Sequence, residues 1–265
     1  NDDSIKLIEE PKSKGVATFH FIDVGEGDAT LFETPSKKVV LIDGGIQKEG
    51  NTVARYIRSL GYQHIDQIVA THPHADHIGG LQTMIEQFTV GEWIDSGKVH
   101  TSQTYLRLLR TIDEKDIPFR IAQTGDRWSF DDGMTFNILY ANSNAQTIND
   151  ASVVVQATHG NIRTLLTGDA EKLAEEQLVK QQATQLPSDI LKAGHHGSRT
   201  STTASFIRLV QPKIAVLSYG EGNRYGHPHK EVVDRFNRYD GCLQSSRPHR
   251  QLRKSVKLAF EPTAS

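Results

Sequence analysis

At 265 residues and 37% hydrophobic content, the chain can bury one large α/β core or two small ones. A net charge of -2 excludes bulk attraction to nucleic acid or anionic membrane, so a polyanionic substrate must be held by a local patch or by metal ions. The single cysteine, Cys242, excludes an internal disulfide and a cysteine-rich zinc cluster, and no apolar run reaches transmembrane length. Residues 1–15 read as an N-terminal extension; they open without Met and without a signal-type apolar region, as in a fragment cut from a precursor or a larger protein. Val16 to Asp23, Ala29 to Glu33 and Lys38 to Ile42 are β-type runs separated by Gly25-Glu26-Gly27 and Pro35-Ser36, which predicts a meander. Asn51 caps a helix to about Leu60, Gly61 stops it, and Ile65 to Ala70 is a buried strand. A helix over Leu81 to Phe88, a strand at Glu92 to Asp95 and a helix over about Ser102 to Lys115 follow. After Ile117 to Ala122, the runs Met134 to Tyr140, Ser152 to Ala157 and Arg163 to Leu166 repeat the β pattern, with Gly160-Asn161 as a tight turn. Glu171 to Gln181 is helical, Ile190 to Ala193 a strand, Thr203 to Val210 a helix, Ile214 to Ser218 a strand and Lys230 to Arg238 a helix. Two βα-rich halves of similar order predict two mixed sheets packed face to face under outer helices, over residues 16–240.

The strand at Ile65 to Ala70 runs straight into Thr71-His72-Pro73-His74-Ala75-Asp76-His77, which packs three imidazoles and one carboxylate into a single turn. Pro73 holds an extended φ and keeps His72 out of the helical region, so His72 and His74 leave the chain on one side and can share an ion. Asp76 and His77 open the amphipathic stretch Ile78 to Phe88, where they can serve a second ion; Gly79-Gly80 lets backbone crowd close to the loop. Other strand ends carry chemistry too. Gly168-Asp169 follows a buried strand, although on its own it reads as an N-cap for the next helix. Gly194-His195-His196-Gly197-Ser198 ends another strand with imidazoles in a Gly-flanked turn, and Asn149-Asp150-Ala151-Ser152 offers polar oxygen before a strand or a plain cap. Asn223-Arg224-Tyr225-Gly226-His227-Pro228-His229 is dense in donors and precedes the last helix, which it can simply cap.

These motifs, with Asp23-Val24-Gly25-Glu26-Gly27-Asp28 and Leu41-Ile42-Asp43-Gly44-Gly45, resemble the metallo-β-lactamase superfamily from about Phe19 to Arg238. Within it, Asn149-Asp150-X-Ser152 and the Asn223 to His229 loop resemble the hydrolase domain of ComEC-type competence proteins, which take up DNA. The resemblance implies an αββα sandwich and a dinuclear centre of two divalent ions, manganese or zinc. It implies one site of His72, His74 and a bridging Asp169, and a second of Asp76, His77, Asp169 and His195, with His196 open as the ligand instead. Relatives often complete the first site with another histidine. Here that stretch offers Asp150 as the expected replacement, and a carboxylate there favours manganese or magnesium over zinc alone.

Two cations ~3.5 to 4 Å apart can share a water, lower its pKa toward neutrality and neutralise an attacked phosphodiester. Asp76, His196 and His227 are the expected catalytic groups, the non-ligand imidazole of His195/His196 or His227 protonating the leaving oxygen. Ser198, Arg199, Asn223, Arg224 and Lys192 lie beside these turns as candidate substrate contacts, and Tyr225 can stack on a base. Ordinary solvated surface groups are the alternative for Lys192 and Arg199. Asp23, Asp28 and Asp43 are expected to shape turns or orient ligands, and Trp93 and Trp128 to fill the core.

Residues 241–265 depart from the resemblance: where competence-type relatives continue into another strand and a Gly-containing hairpin, the stretch beyond Cys242 is basic and poorly periodic. A nucleic-acid-binding tail and a shifted reading frame both account for it, and irregular packing is expected. The expected activity is cleavage of DNA phosphodiesters; the alternative is a small-substrate metallo-hydrolase such as a phosphorylcholine esterase or lactonase. An extracellular or cell-envelope place is expected, with the cytoplasm also open. No segment marks a protein partner or a stable membrane insertion.

Overall fold

The computed structural model describes residues 15–130, 132–239 and 256–260. Its strands are β1 (Ala17–Phe21), β2 (Thr30–Glu33), β3 (Val39–Ile42), β4 (His64–Ala70), β5 (Thr89–Asp95), β6 (Phe119–Ile121), β7 (Arg127–Ser129), β8 (Met134–Tyr140), β9 (Val154–His159), β10 (Ile162–Leu166), β11 (Ile190–Lys192), β12 (Ile214–Val216) and β13 (Val256–Phe260). The helices are α1 (Gly50–Ser59), α2 (Ala75–Ile78), α3 (Leu81–Gln87), α4 (Gln103–Glu114), α5 (Lys172–Gln181), α6 (Ala204–Val210) and α7 (Lys230–Arg238).

The strands form a seven-stranded sheet, β13-β1-β2-β3-β4-β5-β6, and a six-stranded sheet, β12-β11-β10-β9-β8-β7. Each is antiparallel at one end and parallel at the other, because hairpins join β1 to β3 and β7 to β10 whereas helical crossovers deliver β4, β5, β11 and β12. Side chains alternate across the sheets with a period of two. On β3, Val39 and Leu41 face the layer that holds Ile57 of α1, Met84 of α3 and Leu108 of α4. Val40 and Ile42 face inward, where they join Phe19, Phe32, Phe136, Val155 and Leu166 between the sheets. On the far side, Val154, Leu165 and Leu191 pack under Leu178, Phe206 and Phe236 of α5, α6 and α7. The result is the expected αββα sandwich.

Two features depart from the sequence reading. The short strand β7 was not anticipated; it pairs with β8, and its Trp128 stacks on Phe136 at 5.2 Å and 7°. Residues 256–260 form a strand rather than packing irregularly. They pair antiparallel with β1, from Ala17 opposite Phe260 to Phe21 opposite Val256, and Leu258 packs against the inter-sheet core. The remainder of the 241–265 tail and most of the 1–15 extension lie outside the described residues. No helix among the described residues is long and apolar enough to cross a membrane.

The packing gives a stability expectation. Phe136 is fully buried between the sheets, with ring contacts to Phe32 at 5.5 Å, Trp128 at 5.2 Å and Phe130 at 6.2 Å. Phe136→Ala is expected to cost about 3 to 5 kcal/mol, read as a lower urea midpoint with an unchanged slope.

Candidate metal centre

The carboxyl ends of β3, β4, β10, β11 and β12 open on the same edge of the sandwich. There the two sheets are stitched together, because Val153 N donates to Thr71 O at 2.9 Å. The histidine turn packs tightly against the rest of the edge: a Cβ on Gly80 would collide with the Gly44 carbonyl, which is the close approach expected of Gly79-Gly80. Gly168 has φ +51, and a Cβ there would sit 3.0 Å from both Ser152 Oγ and Thr71 Oγ1. That turn delivers Asp169 from one sheet into the histidines of the other.

Two groups of metal-competent side chains meet at Asp169: His72, His74 and Asp169, and Asp76, His77, Asp169 and His196; within each, the ligand atoms lie within 4.8 Å of one another. In the first, His72 Nε2 is 3.0 Å from His74 Nδ1 and 3.6 Å from Asp169 Oδ2. In the second, Asp169 Oδ1 is 3.1 Å from His77 Nε2 and 3.5 Å from His196 Nε2, and Asp76 Oδ2 is 3.4 Å from His196 Nε2. One carboxylate therefore presents one oxygen to each group. A third group, Asp28, Asp43 and His77, lies behind them.

The other ring nitrogens are engaged by groups that set ring direction. Asp43 accepts from Thr71 N at 2.9 Å and Thr71 Oγ1 at 2.7 Å, and its Oδ2 is 2.7 Å from His77 Nδ1, so it holds the ligand turn and the imidazole together. His72 Nδ1 lies between Thr71 Oγ1 at 3.2 Å and Ser152 Oγ at 3.3 Å, and Ser152 Oγ also accepts from Asp169 N at 3.0 Å. His196 Nδ1 is 3.1 Å from Ser218 O. A carbonyl only accepts, so Nδ1 carries the hydrogen and the Nε2 lone pair of the neutral ring is left for the group.

The residues fit divalent cations. His77 Nε2, Asp169 Oδ1 and His196 Nε2 are buried without a hydrogen bond, and all three belong to the same four-residue group. Such atoms are costly unless something completes them. Two imidazoles with one or two carboxylates, and no thiolate, suit zinc, manganese or iron.

Several expected site residues fall elsewhere. Of the adjacent pair, His196 and not His195 enters the four-residue group. Both have left-handed backbone, φ 48 and 54, which turns His196 inward and leaves His195 at the rim. There His195 Nδ1 is 3.1 Å from Glu171 Oε1, and its Nε2 is 3.8 Å from Asp169 Oδ2. Asp150 does not join the first group: its Oδ1 accepts from Glu171 N and Ala174 N at the start of α5, and its Oδ2 from Thr147 Oγ1. With Asp150 committed to α5, Asp169 is the one carboxylate of the first group, and no second carboxylate there favours manganese over zinc. Ser198 is buried against Thr200, and Asn223 spends its amide on its own loop, donating to Gly220 O and His227 O and accepting from Tyr225 N and His227 N. Neither is free to meet a substrate.

Lys192, expected as a substrate contact or else a solvated surface group, is neither: it is 3% exposed and ion-paired with Asp28. Arg199 is exposed, with Nη1 3.9 Å from Glu231. His227 stands beside the centre, its ring 5.5 Å from His195 and 6.1 Å from His196, and Tyr225 stacks on its outer face at 5.5 Å while itself 50% exposed. Arg224 lies over Tyr225 at 4.9 Å. Sequence alone gives Glu171 no role beyond the start of a helix, and Glu26 none beyond a turn. A carboxylate in a Gly-flanked turn was the one signal available for Glu26.

Electrostatics follow from burial. Desolvation pushes His72 well below its ordinary 6.5, and His77 beside it adds to the effect. Desolvation also opposes charge on His77 and His196, but Asp169 with Asp43 holds His77 well above 6.5, and Asp169 with Asp28 raises His196 to about 10. Burial works against the charge of Asp169 and Asp76, yet the facing imidazoles keep both below the usual carboxylate range. Metal-free, the second group therefore carries protons on His77 and His196 where a cation would compensate the carboxylates.

Residues 22–221 match the model of the family described as Metallo-beta-lactamase superfamily. ComE operon protein 3 of Bacillus subtilis (strain 168) is 28% identical over 236 residues, 82% of this chain and 30% of that protein. Competence protein ComA of Neisseria gonorrhoeae is 30% identical over 216 residues, 80% of this chain and 28% of that protein. The chain thus spans under a third of the length of these curated relatives. The solved metallo-beta-lactamase fold protein YhfI from Bacillus subtilis superposes with a TM-score of 0.57 at 10% identity, covering 86% of this chain and 95% of that one, which is a likeness of fold.

Because ligation needs unprotonated imidazole, metal uptake is expected to release protons at neutral pH, and affinity to rise as pH is raised toward the value of about 10 for His196. Titration calorimetry in buffers of different ionisation enthalpy reads the proton count directly. The raised imidazoles stabilise the metal-free fold fully below about 6.5 and lose that contribution as pH rises through about 10, so melting in chelator should fall over that window.

Proposed function

The chain belongs to the metallo-β-lactamase superfamily, and from that we propose that it is a metal-dependent phosphodiesterase, a DNA nuclease of the competence type. One observation carries the reading: Asp169 offers Oδ1 and Oδ2 to two adjacent groups of ligands. His72, His74 and Asp169 would hold one divalent ion, and Asp76, His77, Asp169 and His196 the other, manganese or zinc. Ions bound there would supply an acidified water and positive charge opposite the attacked phosphate.

The remaining steps fall to the chain's own side chains. Asp43 and Ser218 fix the imidazoles of His77 and His196, so the donor set is oriented before substrate arrives. His227 lies next to the centre without belonging to either ligand group, which suits it to protonate the leaving oxygen. Tyr225, exposed and stacked on His227, offers a face to an unpaired base, and Arg224 beside it a charge to a flanking phosphate. These are local contacts, as a net charge of -2 requires. Kinship with a protein named for competence, together with the motif resemblance to competence proteins that take up DNA, supports DNA as the substrate and an extracellular or envelope place for this chain.

The test is cleavage of labelled single-stranded DNA by manganese- and zinc-loaded protein, beside bis-p-nitrophenyl phosphate, a phosphocholine ester and a β-lactam. Cleavage of DNA should vanish in chelator, return with metal, and be lost in Asp169→Asn and His77→Ala. Tyr225→Ala should weaken DNA binding by about 1 to 3 kcal/mol per stacked base. Turnover of only the phosphocholine ester or the lactam would replace this reading with a small-substrate hydrolase, and DNA cleavage that survives Asp169→Asn would end it.

A further inference from the structure

The loop that carries Tyr225 and His227 has no secondary structure of its own between β12 and α7, yet its position relative to the ligand groups is closely determined. Asn223 closes it from inside through four hydrogen bonds. Outer anchors hold it to both neighbouring turns: Ser218 Oγ donates to Gly27 O at 2.7 Å, and His229 N donates to Gly197 O at 2.9 Å. One further anchor differs in kind, because it engages an imidazole. Glu26, from the turn between β1 and β2, accepts from Gly220 N at 2.7 Å through Oε2 and lies 3.3 Å from His227 Nδ1 through Oε1. Gly220 backs directly on it, and a Cβ there would sit 2.9 Å from Glu26 N.

We propose that Glu26 is a positioning residue for the cleavage step: one carboxylate clamps both ends of the Gly220 to His227 segment, fixes the ring orientation of His227 and takes its Nδ1 hydrogen. The inference rests on the hydrolase reading above. A carboxylate only accepts, so Nδ1 of His227 carries its hydrogen toward Glu26 and Nε2 is the ring nitrogen turned to substrate; the ring donates from Nε2 only as the imidazolium, with hydrogens on both nitrogens, a form that the facing carboxylate favours. In hydrolysis, water oxygen bonds to phosphorus and its released proton passes to solvent. The leaving P–O bond breaks with its electrons on the departing oxygen, which takes the Nε2 proton of the imidazolium; His227 is left as the neutral Nδ1–H ring facing Glu26 and regains a proton from solvent. A deoxyribose alkoxide needs that proton, whereas p-nitrophenolate leaves without one. Loss of the clamp should therefore separate the two substrates.

The experiment compares wild type, Glu26→Ala and Glu26→Gln, each analysed for bound metal and assayed on labelled single-stranded DNA and on bis-p-nitrophenyl phosphate. Metal content should match wild type in both variants. On DNA, kcat should fall about 10- to 100-fold in both, the size typical of removing a group that orients a reacting histidine, with a much smaller loss on the nitrophenyl ester. Glu26→Ala should also raise KM for DNA, because Gly220 loses its acceptor. Glu26→Gln should keep KM near wild type, since the amide oxygen still takes Gly220 N, while its N–H faces Nδ1, opposes a hydrogen there and so disfavours the imidazolium that the cleavage step needs. Equal losses on both substrates, or a wild-type kcat on DNA for Glu26→Gln, would overturn the assignment alone. Wild-type protein that cleaves neither substrate would overturn the hydrolase reading and this inference with it.

Discussion

A carboxylate with 1% exposure, Asp169, sits where both sheets end, and the surrounding groups are arranged around its charge. Burial by itself would drive a proton onto that carboxyl group. Three imidazoles prevent it, with His77 and His196 facing one oxygen and His72 the other. Those imidazoles are in turn directed by Asp43, by Ser218 O, and by Thr71 and Ser152. Because the histidine turn follows β4 of one sheet and Asp169 follows β10 of the other, the centre exists only when the sheets are docked. The Phe32–Phe136 contact and the Thr71–Val153 hydrogen bond are thus as much a part of its geometry as the ligands.

The sandwich was legible because its strands alternate cleanly and its helices carry caps and stops. The histidine turn was legible because its ligands crowd into one segment after one strand. Legibility fell with distance along the chain. Asp169 alone is indistinguishable from an N-cap, and only the resemblance gave it a role. Spacing could not choose between His195 and His196, since the choice depends on left-handed φ values that no neighbouring proline or helix signal announces. Asp150 misled for a related reason: an acidic residue ahead of a strand can cap a distant helix, and here it serves the start of α5 instead. The pairing of β13 with β1 joins the two ends of the chain, a contact that local periodicity does not encode.

The rim of the centre is built from loops, and its order comes from hydrogen bonds to fixed elements. Glu26 and Gly197 hold the Asn223 to His229 segment from two sides, at His227 and His229, while Glu171 and Thr200 hold His195. Arg224, Tyr225, His227 and His196 then form a continuous series of contacts from solvent to the ligand groups. On the proposed reading, a chain with a net charge of -2 would meet a polyanion there through Arg224 and the exposed face of Tyr225.

Consecutive non-glycine residues in the left-handed region carry a conformational penalty of about 1 to 3 kcal/mol each, and His195-His196 bears it twice. Glycine at either position would relieve that penalty, so selection for thermostability alone would erode this turn. A descendant freed from chemistry would show its retirement here early, as a relaxed backbone in an otherwise intact sandwich. Persistence of both imidazoles in a lineage would be a record of work still being done.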